Sequence, residues 1–113
     1  AGNYFPLPNA IFSLGLSTGE LAVYAYLMYC EDRKSHQCWP SYKTIGEAVG
    51  MSRNTVQKYV RELEYKVLII TEPTKYESAG GQVRNGNLIY TILPIQPAVE
   101  AYNERQAAKA WRR

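Results

Sequence analysis

The sequence predicts a mainly α-helical fold with a small β-hairpin and an extra helix at the C-terminal end. Three observations favour this class. An apolar helix follows a capping box at Ser17. Two further helical segments are separated by little more than Gly50. Two strand-forming runs at residues 66–72 and 87–93 then follow, joined by a glycine-containing connection.

The first third of the chain predicts an arm, a short turn and one buried helix. Prolines bias the residues before them toward extended structure, so residues 4–8 are expected to form an arm packed on the domain. Asn9 is expected to cap a short turn that Gly15 ends. Ser17 and Glu20 have capping-box spacing, and the helix they begin should reach about Cys30. Because this helix is apolar on nearly all sides, we expect it to lie centrally in the core.

The next segment predicts a loop and two short helices. Residues 31–37 are polar and indicate a loop, after which residues 38–39 suit a short strand. Ser41 is the expected N-cap of a helix through Val49, and Ser52 opens the next helix. In that third helix four apolar side chains share one face by their spacing, and four polar or cationic ones share the opposite face. The apolar set is Val56, Tyr59, Val60 and Leu63, and the polar set is Asn54, Gln57, Lys58 and Arg61.

The two strand-forming runs should pair as an antiparallel hairpin, because both are rich in β-branched and apolar residues. Their connection is too long for a tight turn and carries Lys75 and Arg84. Pro97 suits the first turn of a last helix that runs to Trp111, with Val99, Tyr102 and Gln106 on one side. We therefore divide the chain into a domain at residues 1–96 and a C-terminal helix at residues 97–113.

Composition limits the class of protein. A chain of 113 residues with 46% apolar content is expected to form one globular domain. It lacks an apolar run long enough for a transmembrane helix and a secretion signal at its start, so we expect a cytoplasmic protein that does not enter membranes. Two cysteines are too few for a disulfide scaffold and are interpreted as reduced thiols.

Catalytic and metal-binding functions find little support in the sequence. Cys30, His36 and Cys38 supply only three ligands at an irregular spacing, which does not match a closed zinc site. His36 is the only histidine, and no nucleophile–base set or phosphate-binding loop is present. We expect no enzyme activity, no metal and no cofactor.

Positive charge is concentrated in one stretch of the chain. Between Lys43 and Arg61 four cations face Glu47 alone, a surplus that equals the net charge of +3 of the whole chain. The C-terminal end is the other basic region. Such clustering is typical of a surface that binds nucleic acid.

Residues 45–63 resemble the helix-turn-helix of bacterial DNA-binding proteins. Gly50 lies where the sharp turn requires a positive φ, and Val49 and Val56 lie where the two helices should touch. Gly46 departs from the pattern, since alanine usually takes this small position. Three helices followed by a hairpin are the order of a winged helix, with a three-helix core and a two- or three-stranded sheet.

A second resemblance covers the first two-thirds of the chain. It is similar to the N-terminal domain of replication initiators from plasmids and mobile elements of Gram-positive bacteria, and to stand-alone helix-turn-helix regulators. The residues that carry it are 5–12, 16–17, 25–27, 32–33 and Trp39. The resemblance implies a fold and DNA binding, and it leaves open whether the protein starts replication or controls transcription.

The resemblance implies that the third helix enters the major groove of double-stranded DNA. Arg53 and Lys58 would then reach guanine edges or phosphates, and Asn54 and Gln57 would contact adenine. Further expected contacts come from the helix starts, from the last turn and from the wing between the two strands, where Arg84 suits a minor groove. These residues are Tyr42, Lys43, Ser52, Thr55, Arg61, Lys75 and Arg84.

Two alternatives remain open. The first is a protein-interaction module, for which an exposed apolar patch is expected over the third helix and the wing in place of a positive surface. The C-terminal helix, with Val99, Tyr102 and Trp111, is a candidate for homodimerisation, because one recognition helix contacts only half a site. It is equally compatible with a helix that folds back on its own domain.

Overall fold

The computed structural model describes residues 4–111. Within them a 3₁₀ helix at Asn9–Ser13 precedes four α-helices and five strands. The helices are α1 (Thr18–Cys30), α2 (Tyr42–Val49), α3 (Arg53–Tyr65) and α4 (Ile95–Trp111). The strands are β1 (Gln37–Cys38), β2 (Ile69–Glu72), β3 (Lys75–Glu77), β4 (Val83–Asn85) and β5 (Ile89–Ile92). Residues 1–3 and 112–113 lie outside the described residues. They include the start of the predicted domain, the end of the predicted C-terminal helix and two cations of the basic C-terminal region.

The helix starts follow the predicted caps, with one exception. Ser17 and Glu20 form the full capping box, and Ser41 and Ser52 cap α2 and α3. The prediction that Asn9 caps the first turn is wrong. Pro8 holds the N-cap position with extended backbone, and Asn9 is the first helical residue, because the carbonyl of Pro8 already accepts the Ile11 amide at 3.1 Å.

The predicted hairpin is present, and β1 completes a three-stranded sheet in the order β1-β5-β2. Its antiparallel register pairs Ile69 with Ile92 and Glu72 with Ile89. The predicted start at residue 66 is wrong, because α3 extends to Tyr65 and Val67 adopts a left-handed φ of 64° that reverses the chain before β2. The first strand also lies one residue earlier than predicted, at Gln37–Cys38.

The connection between β2 and β5, predicted as an irregular loop, contains a second two-stranded ribbon. Strands β3 and β4 pair antiparallel, and all six of their residues are exposed. We call this ribbon and its turn, residues 75–85, the wing. It lacks a core side, so the alternation of apolar and polar residues that reveals a half-buried strand is missing from its sequence.

The core lies between α1, α3 and the three-stranded sheet. Val23, Tyr24 and Leu27 of α1 pack there with residues of α3 and of the sheet. The prediction of a central α1 is correct for this side only, because Ala25 and Tyr26 are half-buried on its other side and Tyr29 is 66% exposed.

A buried ion pair joins the start of α1 to the end of α3. The Lys66 ammonium lies 2.7 Å from a carboxylate oxygen of Glu20, whose side chain is 5% exposed. Burial raises the pKa of Glu20, but the hydrogen bonds from Lys66 and Ser17 and the charge of Lys66 outweigh it and lower that pKa below its ordinary value of 4.5.

Helix α4 packs on the domain along its first half only. It begins at Ile95, two residues before the predicted Pro97. Ala98 is buried, and Val99 and Tyr102 pack partly against the core, so this half folds back on its own domain. From Gln106 onward every described residue is exposed, including Trp111 at 89%.

Candidate nucleic-acid interface

The connection between α2 and α3 is a tight glycine turn. Gly50 adopts a left-handed φ of 74°, and its amide donates to the Gly46 carbonyl, which also accepts the Met51 amide at 2.9 Å. A non-glycine residue in this conformation costs about 1–2 kcal/mol. Gly46 is buried against the Met51 carbonyl and the Val56 side chain, so close approach of the two helices depends on it.

Helix α3 is oriented by its apolar stripe. Val56, Val60 and Leu63 are at most 1% exposed, and Tyr59 is half-buried with its ring against Gly19 of α1. At about 100° per residue, the side opposite this stripe points away from the domain. Arg53, Asn54, Lys58 and Arg61 are exposed there, and Gln57 is partly buried at the flank.

The start of α3 uses two predicted contact residues to stabilise the helix. Ser52 Oγ accepts the Thr55 amide at 3.2 Å and donates to Thr55 Oγ1 at 2.9 Å. These hydroxyls close the first turn at the positive end of the helix dipole, which attracts anions. Ser52 is exposed and Thr55 is half-buried, so Ser52 is the more accessible of the two.

Lys43 and Tyr42 at the start of α2 differ in their accessibility. Lys43 is exposed. Tyr42 is half-buried, and burial raises the pKa of its hydroxyl, with Arg61 opposing the shift and Glu64 adding to it. Tyr42 packs partly against the core, so Lys43 is the more accessible of the two.

The structure separates the two predicted contact residues of the wing. Tyr76 pairs with Arg84, whereas the adjacent pairs are Lys75 with Asn85 and Glu77 with Val83. Directly paired residues share a face of a ribbon and neighbouring pairs alternate, so Lys75 and Arg84 point to opposite faces. The Lys75 face also carries the acid Glu77, while the Arg84 face carries Tyr76.

Two residues outside the predicted set, Tyr65 and Asn87, make contacts beside the predicted ones. Tyr65 is 70% exposed and continues the spacing of Asn54, Lys58 and Arg61 by one more turn, but its ring faces α4, where the Arg105 guanidinium lies 5.6 Å from the ring centre. Asn87 donates to the Trp39 carbonyl at 3.2 Å and so ties the base of the wing to the segment before α2. No sequence signal marks that contact.

The two cysteines and the histidine do not assemble a metal site. Cys38 is buried, its thiol donates to the Leu27 carbonyl at 3.5 Å, and burial raises its pKa to about 12. Across residues 4–111, no three His, Cys, Asp or Glu side chains lie close enough together to hold a metal ion. In the same part of the chain, no helix has both the length and the apolar character to cross a bilayer.

Three helices, a glycine turn between the second and third, and an antiparallel sheet with a protruding wing define a winged helix-turn-helix fold, here extended by a C-terminal helix. The comparisons with known proteins agree with this class. Residues 14–69, from before α1 to the start of β2, match the model of a family described as a helix-turn-helix domain. This match agrees with the helix-turn-helix that α2, the Gly50 turn and α3 form in the structure.

A solved structure from Methanosarcina mazei Go1, described as a possible transcriptional regulator, is similar over most of both chains. It is 22% identical, covers 90% of this chain and 84% of its own, and superposes with a TM-score of 0.52. This similarity shows a shared fold. No curated protein matches the sequence.

Proposed function

We propose that this protein binds double-stranded DNA in a sequence-specific manner, as a binding protein rather than an enzyme, with α3 in the major groove. The observation that carries the proposal is the outward flank of α3. Its first two turns expose cations and amides without an acid, while the apolar stripe holds the helix on the core.

The side chains on that flank suit distinct parts of the duplex. Arg53 and Lys58 suit guanine edges or phosphates, Asn54 and Gln57 suit adenine, and Arg61 suits the backbone. Lys43 at the start of α2 and Ser52 at the start of α3 suit flanking phosphates.

Only one face of the wing can contact the duplex in a given orientation of the domain. We assign the Arg84 face to the DNA side, because Glu77 on the opposite face would repel phosphates. Arginine is the side chain that the narrow minor groove favours.

The test begins with selection of bound duplexes from a random pool, followed by mobility-shift titrations on the selected site. Arg53→Ala and Lys58→Ala should each weaken binding by about 1–3 kcal/mol. Arg33→Ala and Lys34→Ala, which remove exposed cations from the loop after α1, are matched controls that should bind like the unaltered protein. Unchanged affinity in both α3 variants would remove the major-groove model.

Salt dependence provides an independent test. With about 4–7 phosphates engaged per protomer, log affinity should fall with log salt at a slope of about −0.9 per phosphate. An affinity that does not change with salt concentration would show that ionic contacts to phosphates do not contribute to DNA binding. Failure to select any duplex would instead favour the alternative of a protein-interaction module.

We further propose a role in transcription regulation, which the described role of the structural neighbour supports. Initiation of plasmid or mobile-element replication is the alternative that the sequence resemblance supports. The selected site can be placed upstream of a reporter gene and, separately, on a plasmid without an origin. Repression or activation of the reporter is expected, and plasmid maintenance in its place would favour the initiator.

Homodimerisation through α4 is proposed for its last turns only, since Val99 and Tyr102 already pack on their own domain. Support comes from Trp111, which is 89% exposed on the part of the helix that leaves the domain. Sedimentation should show a dimer that Trp111→Ala weakens. If the protein stays monomeric at high concentration, also when it is bound to two adjacent half-sites, dimerisation through α4 is wrong. The DNA-binding proposal would be unaffected.

A further inference from the structure

A cleft lies apart from the proposed DNA surface, between the end of α1, the loop of residues 31–37, the end of β5 and the start of α4. Its volume is about 380 Å³, within the range of about 300–1,000 Å³ that small-molecule pockets occupy. Met28, Ile92 and Leu93 contribute to a largely apolar wall. None of the residues assigned to DNA lines it.

One acid in this apolar cleft is poorly compensated. The side chain of Glu31 is only 10% exposed, and its buried Oε2 atom accepts no hydrogen bond from any described residue. Glu31 is also the C-cap of α1, where the helix dipole places its negative end. Because buried charged groups in proteins are normally paired and hydrogen-bonded, a carboxylate in this position favours a cation beside it.

His36 is an incomplete partner for the Glu31 carboxylate. Its Nδ1 atom lies 3.5 Å from Glu31 Oε2, longer than a good hydrogen bond, and its ring is 60% exposed at the mouth of the cleft. The backbone of His36 is held in place, because its amide donates to the Asp32 carbonyl at 2.7 Å and its carbonyl accepts the Ile92 amide at 2.9 Å. The ring therefore borders the entrance and leaves Glu31 Oε2 covered but without a hydrogen bond.

Tyr24 forms a neutral wall of the same cleft. It is 1% exposed, and burial together with the charge of Glu31 raises its pKa to about 12. The hydroxyl stays protonated at neutral pH and supplies no positive charge. Tyr24 therefore adds nothing to the partial compensation that His36 gives Glu31.

We propose that this cleft binds a small organic cation, with an apolar body and one protonated amine. The ammonium donates to the Glu31 carboxylate, and the body packs on Met28, Ile92 and Leu93. An anion of the same shape is repelled by the carboxylate, and a neutral analogue leaves its charge uncompensated. A metal ion is a poorer occupant, because Glu31 and His36 supply only two ligands and no described group supplies a third.

The test compares three probes of one shape on the unaltered chain: 2-phenylethylammonium, 2-phenylethanol and phenylacetate. Amide chemical shifts are followed during titration without DNA. The ammonium probe should produce saturable shifts in residues 28–36 and 92–95, with an affinity of about 1 mM or tighter. The alcohol should bind at least about tenfold more weakly and the carboxylate should not bind, since hydrogen bonds to charged groups contribute about 1.5–3 kcal/mol.

Two variants complete the experiment. Glu31→Gln should weaken the ammonium probe by about tenfold or more, whereas Glu104→Gln, the same change at an exposed site on α4, should leave binding unchanged. Equal affinity for all three probes, no saturable shift with the ammonium, or unchanged affinity in a folded Glu31→Gln protein would each overturn the proposal. Because the probe series needs neither a variant nor DNA, its result is independent of variant folding and of the proposed DNA-binding function.

Discussion

Replacing Gly46 with alanine sets two effects of opposite sign against each other. Gly46 lies inside α2, and alanine at an unhindered helix position stabilises by about 1 kcal/mol relative to glycine. In the folded domain, however, the new Cβ would lie closer than 3.0 Å to the Met51 carbonyl oxygen. Real Cβ atoms essentially never come that close, so the backbone of the turn must move.

The structure predicts that the packing effect is the larger one. The obstacle is a backbone atom that cannot rotate away, and its carbonyl belongs to the short turn held by the amide of Met51 on Gly46. Overpacking of a tight site costs about 1–3 kcal/mol, and more when backbone must shift. After the gain in helix propensity, we expect a net loss of about 1–2 kcal/mol, or about 4–8 °C in Tm.

Urea and thermal unfolding of the two proteins measure this difference. Gly80→Ala is the matched control, because a Cβ at Gly80 meets no atom within 4 Å, and its effect should stay within about 0.5 kcal/mol. The displaced turn should also weaken DNA binding, since it sets the position of α3. An alanine variant that is more stable than the original would refute the packing argument and leave helix propensity as the deciding term.

Three further predictions concern the wing and the buried ion pair. Because the ribbon turns one face to the duplex, Arg84→Ala should weaken DNA binding by about 1 kcal/mol or more, and Lys75→Ala should weaken it by less. The mobility-shift assay measures both variants, and equal losses of affinity would contradict one-sided contact. Asn87→Ala removes the hydrogen bond to the Trp39 carbonyl and should speed amide hydrogen exchange in the wing while core exchange stays unchanged. Glu20→Gln should lower the free energy of unfolding by about 3 kcal/mol at pH 7, measured with urea. Since the pKa of Glu20 is lowered in the folded state, this contribution to stability is complete at a pH above 4.5 and is lost as the pH falls through the lowered pKa. An undiminished stability difference between the two proteins at strongly acid pH would contradict the ion-pair account.

Local signals were enough to place the helices of the DNA-binding region. The serines at positions 17, 41 and 52 cap α1, α2 and α3 because a side-chain hydroxyl needs only the amide three residues ahead. The turn at Gly50 and the apolar stripe of α3 depend likewise on neighbours within two helical turns. The outward direction of the polar flank of α3 follows from that stripe, which is why the sequence could propose its contact residues.

Features that join distant parts of the chain were decided by tertiary structure. The wing ribbon has no core side and therefore no periodicity to read, and only its register shows that Lys75 and Arg84 point to opposite faces. The bond from Asn87 to Trp39, the ion pair of Glu20 with Lys66 and the uncompensated Glu31 in its cleft depend on residues brought together by folding. Capping and helical periodicity involve residues a few positions apart, so they can be predicted from the sequence. Burial and long-range pairing arise only once the core between α1, α3 and the sheet has formed.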